Sequence, residues 1–196
     1  KRGSRKGSYK QEWRLGCQSV VRPDFSIGAR AIYRTLGRAI EDISNDGGQT
    51  YIVTNPDQWT GQFSYLPRNG QYGWYNYPKP TSIYKALEIT ADKRFSNNWM
   101  LQGSYVLSRL EGNYEGLFSN DNGQLDPNIT SKYDLPQLLV DAYGILPNDR
   151  THVLKIFGGY FFPNFPLELS GNFTLQSGTV ISKLGADDYY GTNEGF

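Results

Sequence analysis

The side chains that could do chemistry are sparse in this chain. His152 is its single histidine and Cys17 its single cysteine. No zinc site can be assembled from them at the usual ligand spacings, and no disulfide can close within the chain. His152 opens a stretch of strand-like alternation and reads as a structural or rim residue. Asp121, Asn122, Asp126 and Asn128 share a glycine-containing loop with oxygens suited to Ca²⁺. They lack the full loop pattern and its terminal bidentate glutamate. No nucleophile elbow and no paired-carboxylate motif occurs. Catalytic, cofactor-binding and metal residues are therefore left unassigned, and the chain reads as a non-enzyme.

The chemistry that remains is that of binding. Trp59, Phe63, Tyr65, Tyr72, Trp74, Tyr75 and Tyr77 crowd one segment, with Gly61, Gly70 and Gly73 between them. Connecting segments are usually polar, so aromatics at this density need a reason. One reading packs them on each other as a lid. The other makes Trp59, Tyr72, Trp74, Tyr75 and Tyr77 a ligand-contacting surface. Tyr and Trp offer a flat apolar face with a polar edge and lose little entropy when ordered. Such faces suit an oligosaccharide or a peptide, and Arg68 and Lys79 stand ready for an acidic group.

The elements that must position these residues are hairpins. The clearest runs from Tyr84 to Leu110, two long alternating segments around Ser96-Asn97-Asn98. Side chains alternate faces along a strand. Leu87, Ile89, Ala91 and Phe95 thus share one face against Glu88, Thr90, Asp92 and Arg94. Trp99, Leu101, Gly103, Tyr105 and Leu107 face one way, and Met100, Gln102, Ser104, Val106 and Ser108 the other. Asn tolerates the left-handed backbone that a tight hairpin needs. Similar units occupy about 9–35, turning at Arg22-Pro23-Asp24, and about 151–177, turning at Pro163-Asn164-Phe165-Pro166. Long loops at about 36–81 and 111–149 separate the units. The first includes a short strand-like run, Tyr51 to Asn55, and in the second Asp134 to Gly144 can form a helical turn or two.

Short turns on one side and long loops on the other are the asymmetry of an up-and-down transmembrane β-barrel. The predicted fold is all-β, antiparallel, a barrel portion of about six strands, each of roughly ten or eleven residues, the length of a tilted crossing. The central outer positions, such as 15, 27, 89, 101, 156 and 171, carry no charge, whereas their inner neighbours include Arg14, Arg30, Glu88, Asp92 and Lys155. Leu87, Ile89, Leu101, Tyr105, Ile156, Leu169 and Phe173 are the residues expected to face lipid. A mean hydropathy of −0.58 is compatible with this, because barrel strands dilute their apolar residues by alternation. The competing reading is a soluble or surface-displayed β-domain for carbohydrate binding or adhesion, since a half-buried soluble sheet alternates too. The net charge of +1 gives no sign of a nucleic-acid partner. With no initiator Met and a last residue in a loop-like stretch, the chain reads as an internal piece of a longer protein.

Several segments carry a family resemblance. The run from Tyr84 to Pro136, then YGILPNDRTHVLKIFGGYFFP and LSGNFTLQSGTVIS, resembles the late barrel strands of TonB-dependent outer-membrane receptors. The Oar-like group, with its carboxypeptidase-regulatory-like N-terminal domain, is the nearest likeness, and GRAIED and YIVTNP fit it as well. The strongest portions are Leu146 to Arg150 (LPNDR) and Leu175 to Thr179 (LQSGT). The resemblance implies a bacterial outer-membrane barrel of about twenty-two strands around a plug, importing a ligand with force from TonB. Its implied partners are outer-membrane lipid, the imported ligand, and the TonB complex engaged through an N-terminal part that this chain lacks. Plug, TonB box and closing strand are absent from the sequence, so the chain alone is not expected to transport.

Overall fold

The computed structural model describes residues 5–63, 73–116 and 131–181. Their strands, in chain order, are β1 (Tyr9–Arg22), β2 (Phe25–Arg38), β3 (Glu41–Ile43), β4 (Ile52–Thr54), β5 (Thr60–Phe63), β6 (Gly73–Asn76), β7 (Ser82–Ser96), β8 (Trp99–Gly112), β9 (Gly144–Ile145), β10 (His152–Phe161) and β11 (Glu168–Gln176). Three 3₁₀ turns, Pro56–Gln58, Ser131–Tyr133 and Pro136–Leu139, are the helical content of these residues. The last of these falls within the Asp134 to Gly144 stretch expected to form a helical turn, and Ser131–Tyr133 lies just before it.

The three predicted hairpins form and join edge to edge. The main sheet is antiparallel in the order β1-β2-β7-β8-β10-β11, with the short β9 added to the end of β8. The sheet is open, with β1 and β11 at its edges, and no closed barrel is formed by the described residues. Four of the strands are longer than expected, at 14 or 15 residues.

The turns follow from their residues. Asn97 and Asn98 have φ of 49° and 67°, and Ser96 pairs with Trp99. This is the two-residue hairpin turn that needs two left-handed residues in succession. At the first hairpin, Arg22 pairs with Phe25 around Pro23-Asp24. The third is wider, with Phe162 N–H donating to the Leu167 carbonyl at 3.0 Å.

The register aligns the columns read from sequence onto one face. Cys17, Ala29, Ile89, Tyr105, Leu154 and Leu175 are successive cross-strand partners, as are Ile27, Ala91, Gly103, Ile156 and Phe173 one row nearer the turns. A one-residue slip in any pair would flip that strand's columns to the wrong side. A bulge falls between Lys93 and Ser96, and Lys93 completes the column between Ala91 and Phe95. Its charge is screened locally. The ammonium lies 3.0 Å from the Asp24 carboxylate and 4.2 Å from the Trp99 ring centroid.

The apolar core of the described residues is not in the sheet. Leu36, Ala39, Ile43, Tyr77, Tyr114, Tyr133 and Leu139 form one buried cluster. All belong to the two long connections or to the strand end that leads into one. Every residue of β1 and of β11 is exposed, and Leu87, Ile89 and Phe173 are exposed as well.

Candidate functional site

Two features stand out: a polar hollow on the middle of the sheet and a lid at the end of the sheet away from the short turns. The hollow measures about 770 Å³ and lies on the charged face, with Gln18, Arg30, Glu88, Asp92, Gln102 and Lys155 among its lining residues. A smaller hollow of about 350 Å³ continues toward the loops past Tyr84, Asn148 and Arg150. The charges are arranged across strands. Arg30 and Glu88 are register partners, 3.6 Å apart at their charged atoms. Glu12 bridges Arg14 and Arg34. Such half-exposed pairs add little stability in water. Their arrangement leaves a hydrogen-bonding wall of both signs.

The lid is built from both long connections. Ser44 N–H donates to the Asp134 carbonyl at 2.8 Å. The Tyr77 hydroxyl lies within hydrogen-bonding distance of two carbonyls, 2.6 Å from that of Ser44 and 2.9 Å from that of Asp134. Tyr114 donates its hydroxyl to the fully buried Glu41 carboxylate at 2.8 Å and meets Tyr133 edge-to-face at 5.7 Å between centroids. Burial is the main reason that Tyr77, Tyr114 and Tyr133 all resist ionisation well beyond the ordinary tyrosine value; for Tyr114 and Tyr133 the nearby Glu41 charge adds to it. Tyr133 Oη is buried and has no hydrogen-bond partner among the described residues. At the lid tip Asp46 accepts the Thr50 hydroxyl at 2.6 Å and the Thr50 and Gln49 amides. These bonds, the Thr50 hydroxyl first, lower its carboxyl to about 2.

The expected ligand-contacting aromatics separate in this setting. Tyr77 is 3% exposed, with its hydroxyl occupied by main chain, so it is part of the lid's interior. Trp59 packs against the same cluster and donates its indole N–H to Thr54 Oγ1 at 2.9 Å. Both fit the packing reading, Tyr77 as a buried residue and Trp59 as a partly buried one. Tyr75 is 40% exposed, opposite Gly61 in the β5–β6 ribbon, and Trp74 sits next to it opposite Gln62. Tyr72 and Arg68 lie outside the described residues, as do Asp121, Asn122, Asp126 and Asn128. His152 is exposed, with Nδ1 2.8 Å from Tyr105 Oη. Among the described residues no cluster of His, Cys, Asp or Glu could hold a metal ion.

Sequence reasoning did not anticipate the Glu41–Tyr114–Tyr133 group. Tyr114 and Glu41 are 73 positions apart, and no local periodicity links them.

No family model matches the chain, and no solved structure matches it. A curated relative does: the TonB-dependent transporter Oar of Myxococcus xanthus is 35% identical over 187 residues, 93% of this chain. This chain belongs to the Oar-like TonB-dependent receptors. It spans 16% of that relative's length. The aligned part of the Oar-like chain includes nearly all of the sheet and lid described above, so the likeness is not confined to one motif.

Proposed function

We propose that this sheet is one sector of the wall of an outer-membrane β-barrel in a TonB-dependent receptor that imports a ligand across the bacterial outer membrane. One observation carries the reading: a single face bears the aligned apolar columns, with charges only toward its two ends at Lys85, Arg109, Glu111 and Lys93, and is left exposed, while the middle of the opposite face bears Arg30, Glu88, Asp92, Lys155 and the hollow. Lipid suits the first face and a hydrated lumen the second. On β7 the outer column is uncharged between Lys85 and Lys93. That stretch is roughly 26 Å along the strand, or about 20 Å along the membrane normal at a tilt of roughly 40°. The apolar band of such barrels is of similar height, roughly 25 Å.

In this reading the three turns are periplasmic and the lid is extracellular. The imported ligand is an oligosaccharide or a peptide that meets the lid at Tyr75, with Trp74 and Tyr72 beside it. Trp59 and Tyr77 hold the lid together rather than touch the ligand. Transport needs the whole receptor, including the part that engages the TonB complex.

Epitope tags test the topology in the full-length receptor on intact cells. Tags beside Asn45 and Asn122 are expected to be labelled, and tags at Pro23, Asn97 and Asn164 are expected to stay silent until the cells are permeabilised. The reverse pattern would overturn the orientation.

A further inference from the structure

The apolar face ends, toward the lid, in a row of different chemistry. Trp13, Tyr33, Lys85 and Arg109 are successive cross-strand partners on β1, β2, β7 and β8. They lie on the same face as the row below, Leu15, Ala31, Leu87 and Leu107. Trp13 and Tyr33 are 74% and 43% exposed. Lys85 and Arg109 have more than half of their side chains in the open, and one carboxylate serves both. Glu111 lies 3.1 Å from Lys85 Nζ and 2.9 Å from Arg109 Nε. Glu111 itself is mostly covered. Two cations on one anion leave a net positive charge, with further N–H donors of the ammonium and guanidinium still to be used.

We propose that this row is a docking site for the phosphorylated headgroup of an acylated glycolipid in the outer leaflet, with Lys85 and Arg109 on the phosphate. The inference rests on the membrane placement proposed above. Charge complementarity selects an anion, and a guanidinium beside an ammonium suits a phosphate. Position selects a lipid: Leu87 and Leu107 lie directly beneath the cations, where acyl chains attached to that phosphate would run. Trp13 and Tyr33 extend the row with the amphipathic rings favoured at headgroup depth. Glu111 holds the two cations together before lipid arrives.

The test uses the purified full-length receptor and native mass spectrometry, with diphosphorylated lipid A as the probe. Dephosphorylated lipid A and phosphatidylglycerol serve as comparisons. The wild type should retain diphosphorylated lipid A in preference to both. The double variant Lys85→Gln, Arg109→Gln should bind it on the order of thirtyfold more weakly, from about one kcal/mol per cation at a membrane surface, while Lys79→Gln binds as wild type. Should the double variant fail to give a folded barrel, Lys85→Gln alone should lose about fivefold. Unchanged retention in a folded variant, or equal retention of the dephosphorylated lipid, would overturn the site. A nitroxide at Leu87 separates the two proposals. If it lies in lipid and binding is still unchanged, only the docking site fails; if it lies in water, the membrane placement fails with it.

Discussion

Lys93 and Trp99 face each other across the turn of the central hairpin, the ammonium 4.2 Å from the ring centroid. The same ammonium donates to Ser96 Oγ at 2.7 Å and pairs with Asp24 of the neighbouring turn, so one lysine ties two hairpins together. Ser96 also donates to Asp24. The Ser96 bond first, and then Lys93, lowers the Asp24 carboxyl below its ordinary value of 3.8. A depressed carboxyl contributes stability above its unfolded value, and that contribution fades as pH falls through the folded one. Acidification below about pH 4 should therefore loosen the wild-type turns, and Asp24→Asn should flatten that part of the acid profile. Lys93→Met should lower stability by about 1–2 kcal/mol through loss of the cation–ring contact. Heat-modifiability gels across pH measure both effects.

The turn between those residues gives a second expectation. Asn97 and Asn98 both hold positive φ, and a β-branched residue there is strained. Asn98→Val should destabilise the hairpin by about 1–2 kcal/mol, whereas Asn98→Gly should be neutral or stabilising. Urea midpoints of the refolded full-length barrel distinguish the pair, and equal midpoints would refute the assigned turn.

The lid should respond to alkali. Burial raises Tyr77, Tyr114 and Tyr133 above the ordinary value of 10.0. Above that value an opened lid ionises its tyrosines and a closed lid does not, so closure is fully stabilised below pH 10 and weakens as pH rises past it. Protease cleavage within 36–81 should therefore accelerate above about pH 10. Tyr114→Phe should open the lid at neutral pH as well, because it removes a donor to the buried Glu41, at a cost of about 1–3 kcal/mol. Cleavage rates unchanged in both experiments would show that the two connections do not close as a unit.

The ligand surface is tested by separating contact from packing. Tyr75→Ala and Trp74→Ala should weaken uptake of the cognate ligand several-fold while the lid stays resistant to protease. Trp59→Ala and Tyr77→Ala should instead open the lid, with loss of uptake following from that. Normal uptake in the first pair would remove them from the ligand surface.

The hairpins were legible in the sequence because alternation, turn residues and strand length are local properties. Leu87, Ile89, Glu88 and Asp92 declare their faces within six positions of one another. Lys93 was harder to place. It has the parity of a lipid-facing residue but carries a charge, and only the neighbouring turn, which brings Asp24 beside it, and the bulge before Ser96 explain how that charge is accommodated. The lid was less legible still. Its aromatics stood out by density, but their division between interior and surface depends on distant partners such as Asp134 for Tyr77 and Glu41 for Tyr114. The row from Trp13 to Arg109 became visible only once the register aligned four strands.

Solvent access at the apolar face tests the central claim most directly. Nitroxides placed one at a time at Leu87, Ile89, Leu101, Tyr105, Ile156, Leu169 and Phe173 in the full-length receptor, reconstituted in bilayers, should be reached by oxygen and shielded from a water-soluble nickel chelate. Labels at Glu88 and Gln102 should show the opposite preference. Equal access of the nickel chelate to both sets would contradict the barrel-wall assignment.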